Sequence, residues 1–162
     1  MVKLLSKKEK KELKRKLSYI DEEILNEIFD KYENIFRIEL KDKDLIIYYS
    51  NKPIFFEKDN KVFPTLNLIY DLGYIFLKEV KVDEGAVKHI LKGADVFRPG
   101  ITFFEENIQK EDIVVVEDPK EKPIAIGVSL VNFEEFKNME KGKVIKNYHY
   151  LNDKIFKFSL KK

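Results

Sequence analysis

The chain has 162 residues, 44% apolar and 37% charged, with 31 Lys and Arg against 29 Asp and Glu for a net charge of +2. That composition fits one or two small folded domains and excludes a disordered or collagen-like chain, while the lack of any cysteine excludes a disulfide scaffold, thiol catalysis and thiolate metal sites. With no apolar run near the roughly 18 residues of a membrane span and no signal-peptide apolar region, a cytoplasmic protein is expected, and the Lys- and Glu-rich content without Trp resembles that of thermophile proteins.

Ser6 with Glu9 three residues on forms a capping-box pattern, and Leu13, Leu17 and Ile20 continue at helical spacing. This first helix carries most of a basic block: residues 1–18 hold eight Lys and Arg against two acids. Asp21 caps a second helix whose face is Ile24, Leu25, Ile28, Phe29 and Tyr32. Its segment, residues 19–34, has six acids against Lys31 alone, so the two helices are expected to neutralise each other if they pack as a hairpin. Three strand-like runs follow, Ile35 to Leu40, Leu45 to Ser50 and Pro53 to Lys58, read as an antiparallel meander. Pro64 suits the first turn of a short helix that Gly73 ends.

A second unit is expected to start near Glu79. Asp83 caps a helix with Val87, Ile90 and Leu91 turned inward, and Gly93 stops it. Strands are then expected at Asp95 to Phe97, Asp112 to Glu117, Pro123 to Leu130, Lys143 to Tyr150 and Lys154 to Leu160. Five short strands behind one helix read as a small barrel.

If Val87, Ile90 and Leu91 face the core, Gly85, Lys88, His89 and Lys92 line the outer face. Gly in a helical turn costs up to about 1 kcal/mol against Ala. Either a bare backbone under two lysines lets a phosphodiester approach closely, or Gly85 only relieves crowding while the lysines are solvated. Tyr148 and Tyr150 flank His149 on a strand, either as a stacking platform for a base or as barrel packing. His149 is read as structural or surface, since no Cys, second His or spaced carboxylate completes a metal set; neither metal nor cofactor is expected. In the first helix, Lys7, Lys10, Lys11 and Lys14 form a secondary basic surface, open to RNA contact or to plain solvation. Its apolar stripe is too thin for a membrane-surface helix.

The segments Asp-Glu-Gly-Ala at 83–86, Gly-Ala-Asp-Val at 93–96, Arg-Pro-Gly-Ile at 98–101, Ile-Ala-Ile-Gly-Val at 124–128 and Asn-Tyr-His-Tyr-Leu-Asn-Asp at 147–153 resemble a PUA domain. With Val-Phe-Pro-Thr-Leu at 62–66 behind a hairpin, nearly the whole chain is similar to the malignant-T-cell-amplified-sequence family and its archaeal relatives. The resemblance implies an α+β fold: a pre-PUA domain of two helices and an antiparallel sheet over residues 1–79, then a PUA pseudobarrel over residues 80–160. It implies an RNA groove edged by Gly85, Ala86, Lys88 and His89, continued by Gly93, Ala94 and Asp95, then by Arg98, Pro99 and Gly100, with Tyr148 across from them. Lys92 lies on the same outer stripe. Arg98 offers a planar fork for phosphate. The partners implied are RNA, either the tRNA acceptor end or ribosomal RNA, and a protein similar to the density-regulated protein.

No P-loop, dinucleotide-binding, zinc-protease or nucleophile-elbow motif is present, and a non-enzymatic role is expected. The leading expectation is an RNA-binding protein acting in translation. The alternatives are a protein-interaction adaptor working through the pre-PUA sheet, and an accessory RNA-binding subunit for RNA modification.

Overall fold

The computed structural model describes residues 1–160 and divides into two compact units, residues 1–76 joined by the C-terminal segment from Lys157, and residues 77–156. The division falls at Phe76/Leu77, slightly before the expected 79/80 boundary, because Lys78 and Glu79 already belong to the first strand of the second unit.

In the first unit, strand β1 (Val2–Leu4) precedes helices α1 (Lys7–Lys16) and α2 (Glu22–Lys31). Strands β2 (Phe36–Leu40), β3 (Leu45–Tyr49), β4 (Pro53–Lys58) and β5 (Lys61–Pro64) follow, then helix α3 (Leu66–Leu72). Both expected caps form: Ser6 and Glu9 make the reciprocal capping box, and the Asp21 side chain accepts from Glu23 and Ile24 N–H. The sheet runs β1-β2-β3-β4-β5, every pair antiparallel. Apolar alternation does not reveal the short outer strands β1 and β5. Pro64 ends β5 rather than opening α3; lacking an N–H, it is tolerated on an edge strand, and Thr65 is the cap instead. Leu17, Ile28, Ile47, Phe55, Phe56 and Phe63 are fully buried, with Phe56 and Phe63 stacked at 4.6 Å.

The expected mutual neutralisation of α1 and α2 takes another form. Lys10 donates to the Glu33 carbonyl, and Lys14 donates to the Asn26 side-chain oxygen while sitting 5.8 Å from the Phe29 ring. The acid that gathers cations is Asp71 on α3, which accepts from Lys52 at 2.8 Å, from the Tyr32 hydroxyl and from Lys31 at 2.9 Å. These three donors hold its carboxyl well below the usual carboxylate range.

The second unit contains β6 (Lys78–Val82), α4 (Glu84–Ile90), β7 (Val96–Phe97), β8 (Ile101–Phe104), β9 (Ile113–Glu117), β10 (Pro123–Ser129), α5 (Phe133–Asn138) and β11 (Lys143–Tyr150). They form one curled six-stranded sheet, a pseudobarrel, in the order β7-β11-β10-β9-β6-β8. All its pairs are antiparallel except β6 with β9. Val80, Ile90, Ile108, Val114, Val116, Val144 and Ile145 fill its core. Two expectations fail. Leu91 is exposed, because α4 ends at Ile90 and only Ile90 of the stripe is fully buried. Residues 154–160 form no strand, because the Asp153 carboxylate accepts from the Tyr150 and Phe156 N–H groups and turns the chain there.

Glu117, at the end of β9, is fully buried, and neither carboxylate oxygen has a hydrogen-bond partner among the described residues. Burial first, and the Glu79 carboxyl beside it second, push its pKa up to about 8; Glu121 adds to this and Lys81 opposes it. The folded chain therefore binds this proton more tightly than the unfolded chain does. The group's contribution is fully favourable below the unfolded value near 4.5 and is lost as pH rises through about 8. In thermal unfolding, Glu117→Gln should match wild type near pH 5 and be the more stable near pH 9. Parallel pH profiles for the two proteins would show that Glu117 is not protonated in the fold.

Candidate nucleic-acid interface

The site begins with the cap of α4. The Asp83 side chain accepts from Ala86 N–H at 2.9 Å, while Asp83 N–H donates to the Gly100 carbonyl at 2.8 Å, drawing the turn after β7 against the start of the helix. Between them lies an open groove of ≈ 450 Å³. Ile90 and Val96, both buried, make its floor with Ala86 and Ala94; Asp83, His89, Asp95, Phe97, Pro99 and Gly100 complete the lining.

The far wall is held by Asn147 of β11. Its side-chain amide donates to the carbonyls of Ile90, at 3.2 Å, and Ala94, at 3.0 Å; its N–H donates to Asp95 Oδ1 at 2.8 Å. Asp95 Oδ2 pairs with Lys143 at 2.9 Å. Burial pushes the Asp95 carboxyl up, but the Asn147 N–H and Lys143 outweigh it, and the group stays below its ordinary value. Gly93 has φ +99, and an added Cβ would lie 3.3 Å from the Tyr150 ring, so the loop needs glycine at this point.

Of the residues expected at the groove, Ala86, His89, Ala94, Asp95, Pro99 and Gly100 line it. Gly85, Lys88 and Lys92 are exposed beside it on α4 and the following turn, and no ion pair engages either lysine among the described residues. Gly93 shapes the loop without lining the groove. Arg98 packs against α5 instead of facing the groove, with its guanidinium carbon 3.9 Å from the Phe136 ring centroid and Nε donating to the Phe136 carbonyl at 3.0 Å. Tyr148 sits at a bulge, since Gly127 pairs with Asn147 and Ile126 with His149. The strands come so close there that a Cβ at Gly127 would lie 2.4 Å from the Lys146 carbonyl oxygen. Lys146 Nζ is 4.9 Å from the Tyr148 ring centroid. His149 is fully buried, with Nδ1 2.9 Å from Asp153 Oδ2.

Sequence reasoning does not assign Asp83, Phe97 or Asn147 to the groove. Asp83 reads as a cap and nothing more, and Asn147 as part of a motif. Phe97, half exposed, carries the one usable signal: an aromatic residue directly before an Arg-Pro-Gly turn.

The secondary basic surface is divided. Lys10 and Lys14 are committed to α2 and the residues just after it, whereas Lys7 and Lys11 are exposed on α1. A hollow of ≈ 510 Å³ in this unit is lined by Lys11, Lys14 and Arg15 but also by Asp21 and Glu22, so its field is mixed in sign. Among the described residues, no cluster of His, Asp and Glu could hold a metal ion, and no helix is long and apolar enough to cross a membrane.

Asn147→Ala removes the donor that bridges two loop carbonyls. It should cost about 1–3 kcal/mol in chemical denaturation and reduce the exchange protection of the Gly93 and Ala94 amides. Unchanged stability and protection would show that the loop stands without the bridge.

The chain matches the Pre-PUA-like domain over residues 2–72 and the PUA domain over residues 78–151. It is 45% identical over 156 residues to the uncharacterized protein MJ1432 of Methanocaldococcus jannaschii, covering 95% of this chain and 94% of that one. It is 31% identical over 146 residues to translation machinery-associated protein 20 of Saccharomyces cerevisiae (86% and 80% covered), and 29% identical over 137 residues to Malignant T-cell-amplified sequence 2 of Homo sapiens (82% and 75%). The crystal structure of hypothetical protein PH0734.1 from Pyrococcus horikoshii is similar at TM-score 0.82 and 36% identity, with 96% of this chain and 98% of that one covered. With both of its units matched in order, the chain belongs to the PUA-domain family, in the branch with a Pre-PUA-like domain that includes translation machinery-associated protein 20 and the malignant T-cell-amplified sequences.

Proposed function

We propose that this chain is a non-catalytic, cytoplasmic RNA-binding protein acting in translation, and that the groove beside α4 receives a single-stranded RNA end such as the tRNA acceptor terminus. The observation that carries this reading is the pairing of an open apolar groove with two exposed lysines next to it. An unstacked base fits an apolar floor edged by Phe97 and His89, and Lys88 and Lys92 meet the backbone that leads into it. The likeness to translation machinery-associated protein 20 supports the setting.

A protein partner, similar to the density-regulated protein, belongs to the same proposal. Edge strand β1 exposes Val2 and Leu4, with Met1 exposed just before it, an apolar margin suited to contact with another chain. In this reading the PUA unit takes the RNA and the pre-PUA sheet takes the protein partner.

The test compares two double substitutions in binding of tRNA across a salt series. Arg98, Lys10 and Lys14 are left intact because each is tied into its own unit. Lys88→Ala with Lys92→Ala should weaken binding and flatten the log–log salt slope by about 1.4, at about 0.7 per phosphate contact. Lys7→Ala with Lys11→Ala should do less. Equal losses from both pairs would leave a diffuse basic surface in place of a groove.

A further inference from the structure

A basic groove is the expectation from the sequence, and the structure departs from it. Among the described residues that line the groove there is no Lys or Arg, and its two charged side chains are the carboxylates Asp83 and Asp95. Their situations differ. Asp95 is spent: one oxygen accepts from Asn147 N–H and the other pairs with Lys143. Asp83 uses Oδ1 to accept from Ala86 N–H; it is exposed, and no cation pairs with it among the described residues. A negative charge with an uncommitted acceptor oxygen thus stands at one edge of an apolar hollow.

Such a hollow is a poor place for a phosphate, which the carboxylate repels, and a good one for an uncharged nucleoside. A carboxylate is also the usual acceptor for a ribose hydroxyl, and the 2′-hydroxyl is the group that distinguishes RNA from DNA. We propose that Asp83 reads the terminal ribose of the bound RNA, accepting from its free 2′- and 3′-hydroxyls, so that the groove selects an RNA end with an unmodified 3′-hydroxyl and rejects one carrying a 3′-phosphate. The proposal rests on the groove being an RNA site and adds which end chemistry it takes. The lysines lie outside the groove, on the exposed face of α4 and its following turn, where the preceding phosphates would run.

The charge can be removed while the cap stays. Asn ranks with Asp as an N-cap, so Asp83→Asn keeps an acceptor for Ala86 N–H and loses only the charge, and Asp83→Ser serves as a second neutral cap. The probes are one 5′-labelled single-stranded RNA ending in 3′-hydroxyl, in 3′-phosphate, or in a terminal 2′-deoxynucleotide, measured by fluorescence anisotropy with melting temperature as a control. Wild type should prefer the 3′-hydroxyl end over the 3′-phosphate by about tenfold or more, the scale of one hydrogen bond to a charged group, with the deoxy end between. Asp83→Asn and Asp83→Ser, with unchanged melting temperatures, should bring the three probes within about twofold. Tight wild-type binding without discrimination, or discrimination that survives both substitutions, overturns the role of Asp83 and leaves the RNA groove standing. If wild type binds none of the probes, the groove reading fails as well.

Discussion

The groove exists because one amide side chain satisfies two loop carbonyls at once. The turn from α4 into β7 has to leave the helix, pass Gly93 and present Ala94 and Asp95. Asn147 reaches across from β11 to the carbonyls of Ile90 and Ala94 while its own N–H holds Asp95. The bond to the Ile90 carbonyl is partly buried, where a lost donor costs more than a made bond gains, and the bond to exposed Ala94 ties the loop to β11. At the opposite wall, the bond from Asp83 N–H to the Gly100 carbonyl does the same for the next turn. The groove is the gap between two tethered turns.

Charge is used in two ways. Several cations that look like RNA contacts in the sequence are structural members: Arg98 lies against the Phe136 ring, and Lys10 and Lys14 are anchored at α2 and the residues just after it. Lys7, Lys11 and Lys88 remain on exposed helical faces, and Lys92 on the exposed turn after α4. In the proposed function, steering of a polyanion falls to these few positions instead of a broad basic block, and the carboxylate at the groove edge is proposed to select what enters it.

Much of this is legible in the sequence, through local rules. Caps at Ser6, Asp21 and Asp83 and the stop at Gly73 are set by chemistry within a few residues, and they read correctly, whereas α4 ends at Ile90 with Leu91 as its cap, before the expected stop at Gly93. Strands β1, β5 and β8 have only three or four residues, too few for period-two alternation to register, and β6, although five residues long, carries just Val80 and Val82 as apolar residues; none of the four reads as a strand. The segment after Asp153 alternates like a strand yet turns, because a carboxylate captures the backbone donors at 150 and 156. Six of the site residues named by motif line the groove and others lie beside it, and which of them do so depends on distant partners. Nothing near Arg98 in sequence announces Phe136, and nothing near Ala94 announces Asn147.

The central claim, that RNA ends enter the groove beside α4, is most directly tested by titrating the ¹⁵N-labelled protein with a short single-stranded RNA and following amide shifts by NMR. The account predicts the largest shifts at Ala86, His89, Ala94, Phe97 and Gly100, with small ones along α1. Shifts concentrated on residues 7–16, with the groove amides unmoved, would contradict it.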